Sequence, residues 1–256
     1  MMSDLSAAPE NITLYWMPGC SSCLRMKEFV EKTGFDYEAV NVDAEPERAS
    51  FLRDYNIRIP AICVGEECVN GVHLETVAKL LDVEHNPPRM LSPAELRDRY
   101  ARVIAALKRY TLQSTPQAGV LKLPDRDRDL LQVAGHAGCT MRYFLGKYDD
   151  ESFPGFFDDM EPGYRDPQQL VDYIKETYRR FEMWWEEEGQ HDTLDAVVQV
   201  YWGSHTLHEA LEREVWHTAQ HTRQVMYMLE QSGIAPEGPL TADDLDGLPL
   251  PERIYD

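Results

Sequence analysis

Ile12-Thr13-Leu14-Tyr15-Trp16-Met17-Pro18-Gly19-Cys20-Ser21-Ser22-Cys23 is the stretch that decides the fold of the first part of the chain. Its first five residues are apolar and rich in β-formers, which predicts a strand. From Cys20 the spacing turns helical, with Cys23, Met26, Lys27 and Val30 on one face, and Gly34 ends the pattern after Thr33. Pro18-Gly19 supplies the tight turn between strand and helix. Cys20 therefore opens a helix, among free backbone N–H groups at the positive end of the helix dipole. Such a position lowers a thiol pKa from about 8.5 toward roughly 3.5–7.5. Cys23 follows one turn later, close enough to resolve a mixed disulfide formed on Cys20.

Working outward, Tyr37–Val42 alternates as a second strand and Glu45–Tyr55 is predicted as a helix. Ala61–Val64 and Glu67–Val69 are predicted as third and fourth strands, and His73–Leu81 as a closing helix. The order βαβαββα implies an α/β sheet layered with helices. Residues 11–82 resemble a glutaredoxin, of thioredoxin fold. The resemblance rests on Tyr15-x-x-Pro18-x-Cys20-x-x-Cys23, on Arg58-Ile59-Pro60 and on Asn70-Gly71. It implies that Cys20 and Cys23 are the catalytic pair, that Pro60 is a cis proline, and that Tyr15, Arg58, Ile59, Pro60 and Gly71 bind the thiol substrate. The chain departs from the family in having Ser21-Ser22 between the cysteines and Asn70-Gly71 where a Gly-Gly pair is common. It also lacks the aromatic residue that flanks glutathione.

Composition narrows the class. The 256 residues carry 45 acids against 25 bases, a formal net charge of -20, with 43% hydrophobic residues. That is room for two folded domains. So negative a surface repels phosphate backbones and anionic lipid, so neither nucleic acid nor membrane is expected as a partner. The first ten residues lack the basic and apolar regions of a signal peptide, and no stretch approaches the roughly 18–20 apolar residues of a membrane span. A cytoplasmic location is expected. The 5 cysteines are an odd number, which argues for catalytic or metal roles over a disulfide framework. Cys20, Cys23, Cys63 and Cys68 have the make-up of a four-thiolate zinc site. The strand-to-helix setting of Cys20 and the placement of Pro60 favour redox chemistry instead. Cys63 and Cys68 by themselves read as ordinary buried or half-buried cysteines.

Residues 83–92, with Pro87-Pro88 and Ser92-Pro93, read as a linker, after which the periodicity becomes 3.6. Helices are predicted over Pro93–Gln113 (Ser92 and Glu95 forming a capping box), Asp125–Tyr148, Pro167–Glu188 and Thr206–Ser232. Four long helices suggest an antiparallel four-helix bundle over residues 93–232. Leu194–Gly203 reads as extended linker or short strand. Residues 1–10 read as a disordered N-terminus, and 233–256 as an extended tail along the surface. No internal repeat is present.

His217 and His221 lie at i and i+4 on the fourth helix and project from one face. His136 lies among the small residues Gly135, Ala137 and Gly138, where another helix or a ligand can come close. Three neutral imidazoles with an open position describe a catalytic metal centre. Here residues 93–232 resemble the DinB-like four-helix metalloproteins, which place one His on helix two and His-x-x-x-His on helix four. The resemblance implies a divalent metal, zinc or nickel, on His136, His217 and His221. It also implies a low-molecular-weight thiol such as glutathione as co-substrate, thiol transferase activity, and a homodimer through the bundle. Cys139, Trp184, Trp185 and Trp216 read as core, His205 and His208 as capping or surface residues. The two halves together suggest a thiol–disulfide oxidoreductase coupled to a metal-dependent thiol S-transferase. The alternative is a redox-gated metal-binding or stress-response protein without transferase activity.

Overall fold

The apolar run Ile12–Trp16 forms strand β1, the centre of a mixed sheet, because both of its faces find cover. In the computed structural model, which describes residues 9, 11–115, 121–123, 126–148, 162–200 and 202–255, β1 pairs in parallel with β2 (Tyr37–Asn41). On its other side it pairs antiparallel with β3 (Ala61–Val64), and β3 with β4 (Glu67–Asn70). The order is β2-β1-β3-β4. Ile12, Leu14 and Ile62 point to one face, under α1 (Ser21–Thr33) and α2 (Leu74–Leu81), where Met26, Val30, Val77 and Leu81 complete a core. Tyr15, Val40, Ala61 and Cys63 point to the other, against Leu52.

Leu52 belongs to Pro46–Arg53, which is a 3₁₀ segment and not the helix expected over Glu45–Tyr55. The reason is visible in its burial: Leu52 is the one fully buried residue, with Ala49 and Phe51 half-buried beside it, an apolar contact too short to hold a full α-helix against the sheet.

Two compact units are present. The first runs through Pro87 and includes Pro251–Ile254; the second is Pro88–Leu250 with Tyr255. In the first unit the last residues clasp α1. The buried Glu28 carboxylate accepts the backbone N–H groups of Glu252 and Arg253, each at 2.8 Å, and Arg253 also pairs with Glu31 at 2.9 Å. Glu28→Ala leaves two backbone donors without that acceptor. It is expected to destabilise this unit by about 1–3 kcal/mol and to accelerate amide exchange at Glu252 and Arg253, measured by hydrogen exchange.

The second unit is built on four long helices: α3 (Pro93–Leu112), α4 (Leu130–Tyr148), α5 (Pro167–Trp184) and α6 (Leu207–Gln231). α3 and α4 both lie against α5 and against α6, and they also touch each other. Ser92 and Glu95 form the capping box of α3, and Thr206 and Glu209 form that of α6. The core holds Tyr100, Leu107, Tyr110, Phe144, Phe181 and Leu211.

Several boundaries differ from the sequence reading. The start of α4 is at Leu130, since residues 126–129 form strand β6, paired with β5 (Lys122–Leu123). Asp129 ends the strand and caps the helix: its Oδ1 accepts from Gln132 N at 2.9 Å. The expected start at residue 125 lies outside the described residues, as does most of the N-terminal segment. α5 gives way to a π-helical turn at Trp185–Gly189. Leu194–Gly203 contributes β7 (Val197–Val200) to a hairpin with β8 (Gly203–Thr206). The C-terminal stretch is not wholly extended, for α7 (Ala242–Leu245) interrupts it behind a Thr241 and Asp244 capping box.

Gly138 lets α4 and α5 approach closely. A Cβ there would lie 2.6 Å from Ile174 Cγ1, an atom too near the α5 backbone to swing aside. Gly138→Ala gains about 1 kcal/mol of helix propensity, but overpacking costs about 1–3 kcal/mol. A net loss of about 1 kcal/mol, and a lower Tm, is expected in thermal denaturation.

Candidate functional site

Cys20 is the N-cap of α1, in extended conformation, and its Sγ accepts the Cys23 N–H at 3.1 Å. Cys20 and Cys23 are disulfide-bonded, with Cα atoms 5.2 Å apart. The pair is asymmetric. Cys23 is fully buried, whereas Cys20 is half-buried at the helix tip, so an incoming thiolate finds the Cys20 sulfur first. Gly19, at φ 68°, makes the left-handed turn that presents it. Trp16 flanks the turn, with Lys27 Nζ 4.0 Å from the centre of its ring.

The β3–β4 hairpin brings Arg58, Ile59, Pro60 and Gly71 together. The Ile59–Pro60 bond is cis. Gly71 N–H donates to the Pro60 carbonyl at 2.8 Å, and Asn70 Nδ2 to the Arg58 carbonyl at 2.8 Å. Because Ala61 pairs with Tyr15, Pro60 lies at the end of β1 from which the chain turns to Cys20. Tyr15 is placed differently from the other expected thiol-binding residues. It packs into the core with its ring edge on Phe51, 5.6 Å between centroids, and burial pushes its phenol pKa up.

Cys63 and Cys68, expected as ordinary cysteines, form a second disulfide across the β3–β4 hairpin. Their spacing around the turn Gly65-Glu66 was the signal that could have found it, since a two-residue turn sets these two positions opposite each other. Cys139 is buried, and its thiol donates to the His136 carbonyl at 3.2 Å.

In the second unit the structure brings His136 of α4 together with His217 and His221 of α6. All three are buried, at 8%, 6% and 4% exposure, and one ring nitrogen from each lies within 4.8 Å of the others. Thr140 and Thr218, whose hydroxyl oxygens are 2.6 Å apart, fasten the two helices one turn from His136 and beside His217. The Nε2 atoms of His217 and His221 meet at 2.9 Å. Two nitrogens on one tetrahedral zinc sit about 3.3 Å apart. A few tenths of an ångström of opening therefore fits this pair to a shared ion.

The residues behind the rings support the same nitrogens. His221 Nδ1 lies 2.7 Å from Gln224 Oε1, the contact of an Nδ1–H donor, which makes Nε2 the unprotonated nitrogen. His217 Nδ1 faces Glu214 Oε2 at 3.8 Å. Glu214 is wholly buried, and neither of its oxygens accepts a hydrogen bond among the described residues. Burial pushes its carboxyl pKa up to about 7, with Arg213 working against the rise. Burial also drives His217 well below the usual imidazole range, helped by the charge of Arg213 and by the other two histidines. The neutral imidazole is the metal-ligating form. A buried carboxyl group without a hydrogen bond among the described residues, 3.8 Å from Arg213 and from His217 and beside three clustered imidazoles, is a donor set suited to a cation.

Arg213 completes the surroundings, its guanidinium carbon 4.8 Å from the Trp216 ring centre and 5.6 Å from that of Trp202. Glu214, Gln224 and Arg213 were not singled out from sequence. The signal for the first two was Glu214-x-x-His217 and His221-x-x-Gln224, an i,i+3 spacing that puts each polar group beside its histidine. Of the residues expected at capping or surface positions, His208 Nε2 contacts the Leu91 carbonyl at 2.8 Å and His205 lies 3.4 Å from Glu209, while the cap is Thr206.

The glutaredoxin family model matches residues 12–69. Glutaredoxin-like protein NrdH of Escherichia coli K12 is 33% identical over 75 residues, which is 29% of this chain and 93% of that protein. NrdH of Salmonella typhimurium is 32% identical over 76 residues, 29% of this chain and 94% of its own. Gene 56 protein of Mycobacterium phage D29 is 28% identical over 74 residues, 28% of this chain and 82% of its own. Among solved structures, a glutathione transferase homologue from Sulfitobacter with bound glutathione covers 86% of this chain and 91% of its own at 13% identity. Its TM-score of 0.30 is too low to mark a common fold.

Proposed function

Because the chain belongs to the glutaredoxin family through its N-terminal unit, we propose that it is a thiol–disulfide oxidoreductase in which Cys20 is the nucleophile and Cys23 the resolving thiol. The half-buried Cys20 sulfur at the N-cap of α1, bonded to a fully buried Cys23, is the observation that carries this reading. In the reduced protein the Cys23 N–H and the helix dipole favour the Cys20 thiolate. Cys20 attacks a disulfide, one half of the substrate leaves as a thiol, and Cys23 releases the other half by closing the Cys20–Cys23 bond. Arg58, Ile59, Pro60 and Gly71 line the approach at the same end of the sheet.

The bundle is read as a DinB-like metal-dependent thiol S-transferase, coupled to the redox unit by shared use of a low-molecular-weight thiol such as glutathione. His136, His217 and His221 would hold a divalent ion, zinc or nickel, with Gln224 and Glu214 orienting two of the rings. Such an ion supplies stabilisation of a thiolate, the form of the thiol that attacks electrophiles. The deciding experiment measures two reactions on the full chain, loaded with zinc or nickel and then stripped by a chelator. Disulfide reduction is expected to survive stripping, and addition of glutathione to a model electrophile to require the metal. No addition by the loaded protein, together with metal release on oxidation of Cys20–Cys23, would replace the transferase by a redox-gated metal carrier.

A further inference from the structure

The Cys63–Cys68 disulfide lies in the same unit as Cys20 but serves none of the steps above. The two cysteines are directly opposite on antiparallel strands, with Cα atoms 4.1 Å apart, the closely spaced kind of cross-strand pair. They differ in access. Cys63 is on β3, inside the sheet, and is 3% exposed. Cys68 is on β4, the last strand of the sheet, and is half-buried. Cys68, on the edge strand, packs half-buried against the same core in which Cys63 is sealed with Tyr15, Val40 and Leu52, so of the two it is the residue that solvent reaches.

The hairpin does not depend on this bond. Ala61 pairs with Asn70, Ile62 with Val69 and Val64 with Glu67, around a turn whose Gly65 takes φ 59°. The cysteines are only 5 residues apart in sequence, and a cross-link closing so short a loop constrains the unfolded chain least. The bond can open without unfolding the sheet that carries it.

We propose that Cys63–Cys68 is a second thiol–disulfide centre, open to low-molecular-weight thiols through Cys68, with Cys63 as the resolving thiol. A small-molecule thiolate attacks Cys68 Sγ, and the Cys63–Cys68 bond breaks as the new S–S bond forms. The electron pair leaves on Cys63, which takes a proton from solvent. A second thiolate then attacks the small-molecule sulfur of the mixed disulfide and frees the Cys68 thiolate, which is protonated in turn. The sum is one protein disulfide and two thiols giving two protein thiols and one small-molecule disulfide, a transfer of two electrons and two protons. In reverse, a small-molecule disulfide closes the pair through the same mixed disulfide on Cys68. The hairpin begins just after Pro60 and ends just before Gly71, so this centre lies on the strands that flank the proposed substrate loop. The inference stands whether or not Cys20 acts as proposed above.

The test uses the full chain with Cys20 and Cys23 both replaced by Ser, equilibrated in buffers of graded glutathione to glutathione disulfide ratio. Thiols are alkylated under native conditions and peptides are read by mass spectrometry. Cys63 and Cys68 are expected to open and close together and reversibly while circular dichroism stays that of the folded protein. With Cys63→Ser added, Cys68 should accumulate as the glutathione mixed disulfide. With Cys68→Ser instead, Cys63 should be captured at least tenfold less. The proposal is overturned if the two stay thiols in glutathione disulfide, if the bond resists glutathione until the protein unfolds, or if Cys63 is captured as readily as Cys68. The first two outcomes are read without the single variants, so a folding failure in either variant leaves the test intact.

Discussion

Replacing Cys20 by Ser is expected to reduce turnover of a small disulfide substrate by at least about a thousandfold, to the level of the buffer thiol alone. The expectation follows from the asymmetry of the pair. Cys20 is at the helix tip and half-buried, and Cys23 is sealed beneath it. A hydroxyl at position 20 receives the same N–H and the same dipole but has no accessible anion near neutral pH, whereas a thiol there does. Cys23→Ser should behave differently. Cys20 can still attack, so the first half of the reaction proceeds and a mixed disulfide accumulates on Cys20, while turnover falls for want of a resolving thiol. Stopped assays with mass spectrometry separate the two variants. Full turnover by Cys20→Ser would move the nucleophile elsewhere in the chain, and the Cys63–Cys68 pair would then be the first place to look.

The redox half was legible because its signals are local. A strand of β-formers, a Pro-Gly turn and a helix opening on Cys20 occupy consecutive positions, and the observed β1 and β3 take the expected bounds. Where expectation failed, a longer-range fact decided. Pro46–Arg53 has residues that tolerate a helix, but only Leu52 is fully buried there, with Ala49 and Phe51 half-buried beside it, and so short an apolar contact tightens to 3₁₀. The alternating charges of residues 126–129 carry no apolar stripe, and they pair with Lys122–Leu123 until Asp129 caps α4. The Cys63–Cys68 bond depends on strand register, which the Gly65-Glu66 turn encodes only once both strands are accepted. Glu214 was the hardest to see. A glutamate in a helix that also carries Glu209 and Glu212 reads as solvated surface, and only the packing of α4 against α6 puts it in the core.

The second large effect is expected at His217. In wild-type protein, elemental analysis after exchange into metal-free buffer should find about one divalent ion per chain, and His217→Ala should bind it at least about a hundredfold more weakly. The reasoning is geometric and electrostatic together. His217 neighbours both other histidines and the buried Glu214: its Nε2 is 2.9 Å from that of His221, its ring centre 5.2 Å from that of His136, and its Nδ1 3.8 Å from Glu214. Removing it takes one of three ligands and also leaves the wholly buried Glu214 without its imidazole neighbour. His136→Ala should weaken binding comparably, though it removes the ligand on the opposite helix and spares the His217–Glu214 contact. The His205 ring, half-buried near the start of the same helix, supplies the control: His205→Ala should leave the affinity unchanged. Chelator competition gives the affinities, and the visible spectrum of the cobalt-loaded proteins reports the ligand set independently of any activity. Equal affinity in wild type and His217→Ala would remove the metal centre from the bundle. The thiol–disulfide chemistry of Cys20 would be untouched by that result, because nothing in its geometry draws on the histidines.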